Sequence, residues 1–201
     1  MYVRTTYATG DPAKIDESLD GLRVEAPKLL ADQPGYRGFG LFADRELGKI
    51  MMGSWWESEQ ARQSSDDHLK DRRAALLAPF AHTVTVDNWE AAVFTPSPQV
   101  QAGAGFRLSR FDVDPSNVDL LVQTFQNTTL PKLQAIAGVA GAALLIDRAK
   151  GRGNVGTLFT DRAALVASRG KQSAARGEAV AKVGVAMRSM EEFEVVLVER
   201  Q

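Results

Sequence analysis

The chain has two histidines, His68 and His82, the side chains whose unperturbed pKa suits proton transfer near neutral pH. His68 sits in the stretch Asp66-Asp67-His68-Leu69-Lys70-Asp71-Arg72-Arg73 and is the candidate general base. The same polar surroundings also suit a solvated surface residue, so both readings stand. His82 has no evident partner. Arg4 and Arg107 each sit in an alternating, strand-like stretch. An arginine there can hold an anionic or carbonyl group of a ligand, or it can neutralise a carboxylate such as Glu90 or Glu194. The glycine run Gly151-Arg152-Gly153-Asn154-Val155-Gly156 has the spacing of a dinucleotide-binding loop. That loop needs a helix immediately after it, to set its N-terminus against the pyrophosphate, and here a strand pattern follows. The run reads as a hairpin turn. The sequence has no phosphate-binding loop and no His-Glu-x-x-His metal helix. No cofactor and no metal are expected.

Composition narrows the classes further. The 201 residues are 44% hydrophobic and 24% charged, in the range of folded globular proteins. Lys and Arg number 24 and Asp and Glu 25, a formal net charge of -1, without the basic excess of a nucleic-acid binder. Cysteine is absent, which removes disulfides, thiolate chemistry and cysteine-ligated metals and fits a cytoplasmic location. The opening residues lack the apolar core of a signal peptide. The longest uncharged apolar run, Ala135 to Ile146, is twelve residues, too short to span a bilayer.

The residues that could do chemistry stand on a duplicated frame. A shift of 103 positions lays Arg4 on Arg107, Asp11-Pro12 on Asp114-Pro115, Gly35 on Gly138, Asp44-Arg45 on Asp147-Arg148 and Gly48 on Gly151. One further residue of slippage lays Trp89-Glu90 on Phe193-Glu194. The reading is a first unit over 1–94, a linker over 95–104 and a second unit over 105–201. Within each unit the patterns run strand, helix, strand, strand, helix, strand. Asp11-Pro12 caps a first helix carrying the stripe Ile15, Leu19, Leu22, Ala26 and Leu29. A second helix runs from about Ser58 to Leu77, with a break expected near Ser64-Ser65. Two helices cover one face of a four-stranded sheet, so the other face needs a partner.

This βαββαβ order resembles the dimeric α/β-barrel superfamily. The segments Pro34-Gly35-Tyr36-Arg37-Gly38, Trp56-Glu57-Ser58-Glu59-Gln60-Ala61 and His68-Leu69 resemble the antibiotic-biosynthesis monooxygenase domain within it. The resemblance covers the first unit and survives only as a skeleton in the second. It implies an α+β fold of two tandem ferredoxin-like units, packed sheet to sheet as a dimeric-type α/β barrel. It implies either a monomeric pseudo-dimer or a homodimer that takes a small-molecule ligand, with neither nucleic acid nor membrane as partner. The first unit holds every Trp, Tyr and His; the second has Phe159 for Trp56, Lys171 for His68, Arg110 for Tyr7 and Phe193 for Trp89. The pocket is therefore expected in the first unit, with the second as scaffold; drift in a tolerant duplicate explains the same pattern.

The resemblance also supplies an activity, a cofactor-independent monooxygenase acting on an aromatic or polyketide-like molecule. In that reading His68 is the base, Trp56 and Tyr7 wall the pocket, and Arg4 holds the anion. Trp56 also reads as a core plug. Two alternatives are a small-molecule-binding or stress-related module without turnover, and a haem-binding or haem-degrading protein. The latter is disfavoured because Arg4 and Thr6 stand where an Asn is expected on the first strand.

Overall fold

The computed structural model describes residues 1–96 and 100–200. The chain is α+β, and its elements run β1 (Tyr2–Gly10), α1 (Ile15–Ala31), β2 (Tyr36–Asp44), β3 (Lys49–Trp56), α2 (Glu59–Leu77), β4 (Ala81–Phe94), β5 (Gly105–Asp112), α3 (Val118–Thr124), α4 (Leu130–Gln134), β6 (Val139–Asp147), β7 (Arg152–Phe159), α5 (Arg162–Ala167), α6 (Arg169–Val183) and β8 (Ala186–Arg200). Two compact units result. Unit 1 comprises Met1–Trp89 with Val195–Gln201, and unit 2 comprises Glu90–Glu194. The division thus falls inside β4 and β8 rather than in the expected linker over 95–104. Residues 97–99 of that linker lie outside the described residues. Thr95 is tied down: its backbone N–H donates to Ala142 O, and its hydroxyl accepts from Ala142 N, both at 2.9 Å.

Each unit has the ferredoxin-like order βαββαβ. In unit 1, β3 lies between β1 and β2, antiparallel to both. In unit 2, β7 lies in the same way between β5 and β6. The turn chemistry is repeated. Asp11 caps a single 3-10 turn by accepting from Ala13 N, and Asp114 does so from Ser116 N, with Pro12 and Pro115 at the first position. Gly48 and Gly151 turn the β2–β3 and β6–β7 hairpins at φ of +58° and +59°. A Cβ on Gly151 would stand 2.1 Å from Val113 O. The glycine run at 151–156 therefore leads into β7 and not into a helix. Gly153 leaves room for the Phe111 ring, which a Cβ there would meet at 2.4 Å.

The core of each unit lies between its helices and its sheet. In unit 1, α1 buries Ile15, Leu19, Leu22, Ala26 and Leu30. The stripe ends on Leu30 rather than Leu29, which leaves Leu29 half-buried. α2 is continuous, without the break expected near Ser64-Ser65. The Ser65 hydroxyl donates to Arg62 O within the helix at 2.7 Å and does not disturb it. The break falls in unit 2 alone, at Ser168 between α5 and α6. In unit 2 the first helix also has one π-turn, Phe125–Thr129, between α3 and α4.

Gly151→Val should cost about 2 kcal/mol or more, because it adds a β-branched side chain at a left-handed position against a backbone carbonyl. Gly177→Ala, on α6 with nothing within 4 Å of the new methyl group, should stabilise by about 0.5–1 kcal/mol. Urea unfolding of the two variants checks both signs.

Candidate functional site

The period-two alternation of β1 decides which side chains meet the helices. Tyr2, Arg4, Thr6 and Ala8 point to that face. Arg4 is in register with Ser54 and Thr6 with Met52 on β3, and Ser54 is in turn in register with Phe39 on β2. From the other side α2 presents Arg62, Ser65, Leu69, Arg73 and Leu76, spaced three or four residues apart along one helical face. Between these surfaces lies a cavity with about 510 Å³ of empty space, open solvent at its mouth included. Leu22, Ala26, Leu29 and Leu30 of α1, Phe39, Met52, Leu69 and Leu76 make it apolar; Arg4, Thr6, Ser54 and Arg73 are its polar lining.

Arg4 is the buried charge at this site, and Arg73 is a second cation in its lining. Arg4 is only 3% exposed. Its Nη2 donates to Arg62 O and, at 3.0 Å, to Ser65 Oγ. Its Nε stands 3.4 Å from Asp66 Oδ1, close enough for charge attraction but without hydrogen-bond geometry. Nη1 makes no hydrogen bond among the described residues. Asp66 is shared, since Arg73 Nη2 lies 2.8 Å from the same oxygen. Burial lowers the Arg4 pKa to about 10; Asp66 opposes the shift, and the charges of Arg73 and Arg62 add to it. Arg4 therefore remains a cation at neutral pH, desolvated and incompletely paired. The buried donor without a hydrogen bond is Nε, which costs about 1–3 kcal/mol.

The other expected site residues lie elsewhere. His68 is on the exposed face of α2 and does not line the cavity, because it is one residue, or about 100° of helix, away from Leu69. It supplies no base to the cavity. Tyr7 is half-buried on the opposite face of the sheet from Arg4, as an odd position on β1 must be. Trp56 is fully buried beneath the cavity rather than in its wall. Its indole N–H donates to Ser54 Oγ at 3.0 Å, its ring meets Tyr36 edge-on at 5.8 Å, and the Arg4 guanidinium lies over it at 5.6 Å. Trp56 thus positions Arg4 and Ser54. Glu90, an alternative partner for Arg4, is bound to Arg148.

Unit 2 repeats the arrangement with a different outcome. Arg107 lies over Phe159 at 5.4 Å and bonds Leu165 O and Ser168 Oγ, the counterparts of Arg62 O and Ser65. It also bonds Gln172 Oε1 and, through Nε and Nη2, Glu192 Oε1. All three of its nitrogens are therefore satisfied. Unit 1 has Leu69 and Asn88 at the places of Gln172 and Glu192. The acid holding Arg107 is thus Glu192 and not Glu194. The pocket is expected in unit 1, but unit 2 has a cavity as well. That cavity has about 580 Å³ of empty space, open solvent at its mouth included.

Comparisons with known proteins agree with this frame. Residues 1–73 match the family model for antibiotic biosynthesis monooxygenase. Two uncharacterised proteins of Mycobacterium tuberculosis are 25% and 24% identical over 98% of this chain, covering 88% and 84% of their own lengths. A monooxygenase-like protein of Lactobacillus acidophilus superposes with a TM-score of 0.71 at 12% identity, over 100% of this chain and 96% of its own. An anthrone oxidase-like protein superposes with a TM-score of 0.68 at 15% identity, over 99% and 92%. At these identities the structures show the fold alone.

Burial pushes the Glu192 carboxyl upward, but hydrogen bonds from Arg169 and Arg107, and their charges, bring it below the ordinary value of 4.5. A carboxylate depressed in the folded state contributes stability above its unfolded pKa and loses it as pH falls through the folded one. Glu192→Gln should therefore cost about 2 kcal/mol at pH 7 and progressively less below pH about 4. Thermal unfolding of both proteins across that range checks the sign. The matched segment runs from β1 into α2 and includes Arg4, Ser54, Trp56 and Leu69, so the similarity to the antibiotic biosynthesis monooxygenase family covers the residues of unit 1 that surround the Arg4 guanidinium.

Proposed function

We propose that unit 1 binds an apolar, aromatic or polyketide-like molecule as its phenolate or enolate and promotes its reaction with O2 without a cofactor. The observation that carries this reading is the incompletely paired Arg4 guanidinium at a mostly apolar cavity. A buried cation lowers the pKa of an enol or phenol placed beside it and stabilises the anion that reacts. The electron-rich anion reduces O2, one oxygen atom forms a bond to the ring carbon, and the resulting hydroperoxide loses water. Overall a ring CH2 and O2 give C=O and H2O. Arg4 is the anion holder and Ser54 and Thr6 are further hydrogen-bonding groups. The family match and the anthrone oxidase-like fold neighbour support the substrate class.

Among the described residues the cavity lining has neither carboxylate nor imidazole, so this reading assigns no base to the lining. The proton leaves to solvent because the bound anion is stabilised, and His68 plays no part. The same observation favours a second reading, a binding module without turnover. Haem finds less support, because neither histidine lines the cavity.

Oxygen uptake with 1,8-dihydroxyanthrone as probe separates these readings. Turnover predicts uptake of one O2 per anthrone above the spontaneous rate, reduced at least tenfold in Arg4→Met and unchanged in His68→Ala. Saturable binding with no acceleration would overturn the enzyme reading and leave the binding module. Acceleration that survives Arg4→Met would overturn the assigned site.

A further inference from the structure

Unit 2 has its own unsatisfied donors, and they differ from those of unit 1. Gln172 on α6 is 3% exposed and lines the unit 2 cavity. Its amide orientation is fixed by chemistry. The Arg107 guanidinium only donates, so the Gln172 oxygen must face it and accept. The amide nitrogen is then directed away from Arg107 and has no hydrogen-bond partner. A buried NH2 without an acceptor is costly in a ligand-free core.

The second donor is Arg176, four residues further along α6. It also lines the cavity, is half-buried, and has no ion-pair or hydrogen-bond partner among the described residues. The repeat explains why. Arg176 is the counterpart of Arg73, which in unit 1 pairs with Asp66. The counterpart of Asp66 is Arg169, and that residue is engaged with Glu192. Unit 2 has moved its carboxylate from the helix to the strand, where it neutralises Arg107 and leaves Arg176 unpaired. The Arg176 pKa is lowered by burial and then by the charge of Arg107.

Residues four apart on a helix present their side chains on one face, about 5–6 Å apart at Cβ. Phe111, Leu121, Phe125 and Leu133 make most of the remaining wall apolar, and Ser109, Thr129 and Thr157 are its hydroxyls. We infer that unit 2 is a second ligand site, for an apolar molecule carrying a neutral carbonyl for Gln172 Nε2 and an anionic group one helical turn away for Arg176. The ligand class is an aryl or alkyl keto acid. The inference does not depend on the function proposed for unit 1, whose anion holder is a different arginine in a different cavity.

The test is a titration of the full isotope-labelled chain with 3-benzoylpropionate, followed by NMR. The site predicts saturable shifts of the Gln172 side-chain amide and of its cavity neighbours. It predicts that Gln172→Leu and Arg176→Met each raise Kd at least tenfold, while Arg4→Met leaves the shifts in unit 2 unchanged. It also predicts that 4-phenylbutyrate, which lacks the ketone, binds unit 2 at least tenfold more weakly. Gln172→Leu removes an acceptor from Arg107 and can unsettle the fold. Ala179→Phe therefore serves as a second variant, filling the cavity without touching Arg107, and it should abolish the shifts in unit 2. Shifts confined to unit 1, no saturable binding at millimolar ligand, or binding retained in a folded Ala179→Phe variant would each overturn the site.

Discussion

Each unit buries an arginine between its sheet and its helices, and the surrounding structure is arranged around that charge. A guanidinium has five N–H donors and does not lose its proton under ordinary conditions, so a core that contains one must present acceptors from fixed directions. In unit 1 they come from Arg62 O and Ser65 Oγ of α2, with Asp66 nearby. In unit 2 the corresponding Leu165 O and Ser168 Oγ are joined by Gln172 and Glu192. The aromatic ring at the end of the hairpin's second strand, Trp56 or Phe159, supports the cation from below. α2 buries Arg62, Ser65 and Leu77, so its place depends on polar contacts as much as on apolar ones.

The two units show what duplication permits once such a constraint exists. Completing the acceptor set gives every guanidinium nitrogen a partner, as around Arg107. Leaving it incomplete, as around Arg4, gives the arrangement from which anion binding is proposed. Few substitutions separate the two: Leu69 against Gln172, Asn88 against Glu192, and Asp66 against Arg169. Each completed cluster also displaces an unmet need. Satisfying Arg107 uses the Gln172 oxygen and the Glu192 carboxylate, and the Gln172 amide nitrogen and Arg176 are left without partners. Both proposed ligand sites therefore rest on the pairing of the donors and not on a count of aromatic residues.

The frame was legible because its signals are local and doubled. Asp-Pro caps, the positive-φ glycines at 48 and 151, and alternating strands recur at a spacing of 103. The site was legible only in part. Arg4 stood out because it is repeated as Arg107. Ser65 and Ser168 are related by the same shift and were available to the same reading, yet two helical serines suggested a break. His68 was misplaced by one residue of helical phase, since the face at 62, 65, 69, 73 and 76 excludes 68. Tyr7 was excluded by parity on β1. The pairing of Glu192 with Arg107, by contrast, is not written in any local pattern. It depends on the β5–β8 register, with its shift between Arg110 and Phe111, which composition and periodicity do not specify.

The central claim is that the Arg4 cation is open to a ligand and the Arg107 cation is not. The guanidinium Nε–H resonances of the two arginines test it most directly, observed in the full chain during titration with 2-naphthoate, an apolar anion. The account predicts a saturable shift of the Arg4 signal and an Arg107 signal that stays in place, held by Glu192. A shift at Arg107, or saturable binding that leaves Arg4 unmoved, would contradict it.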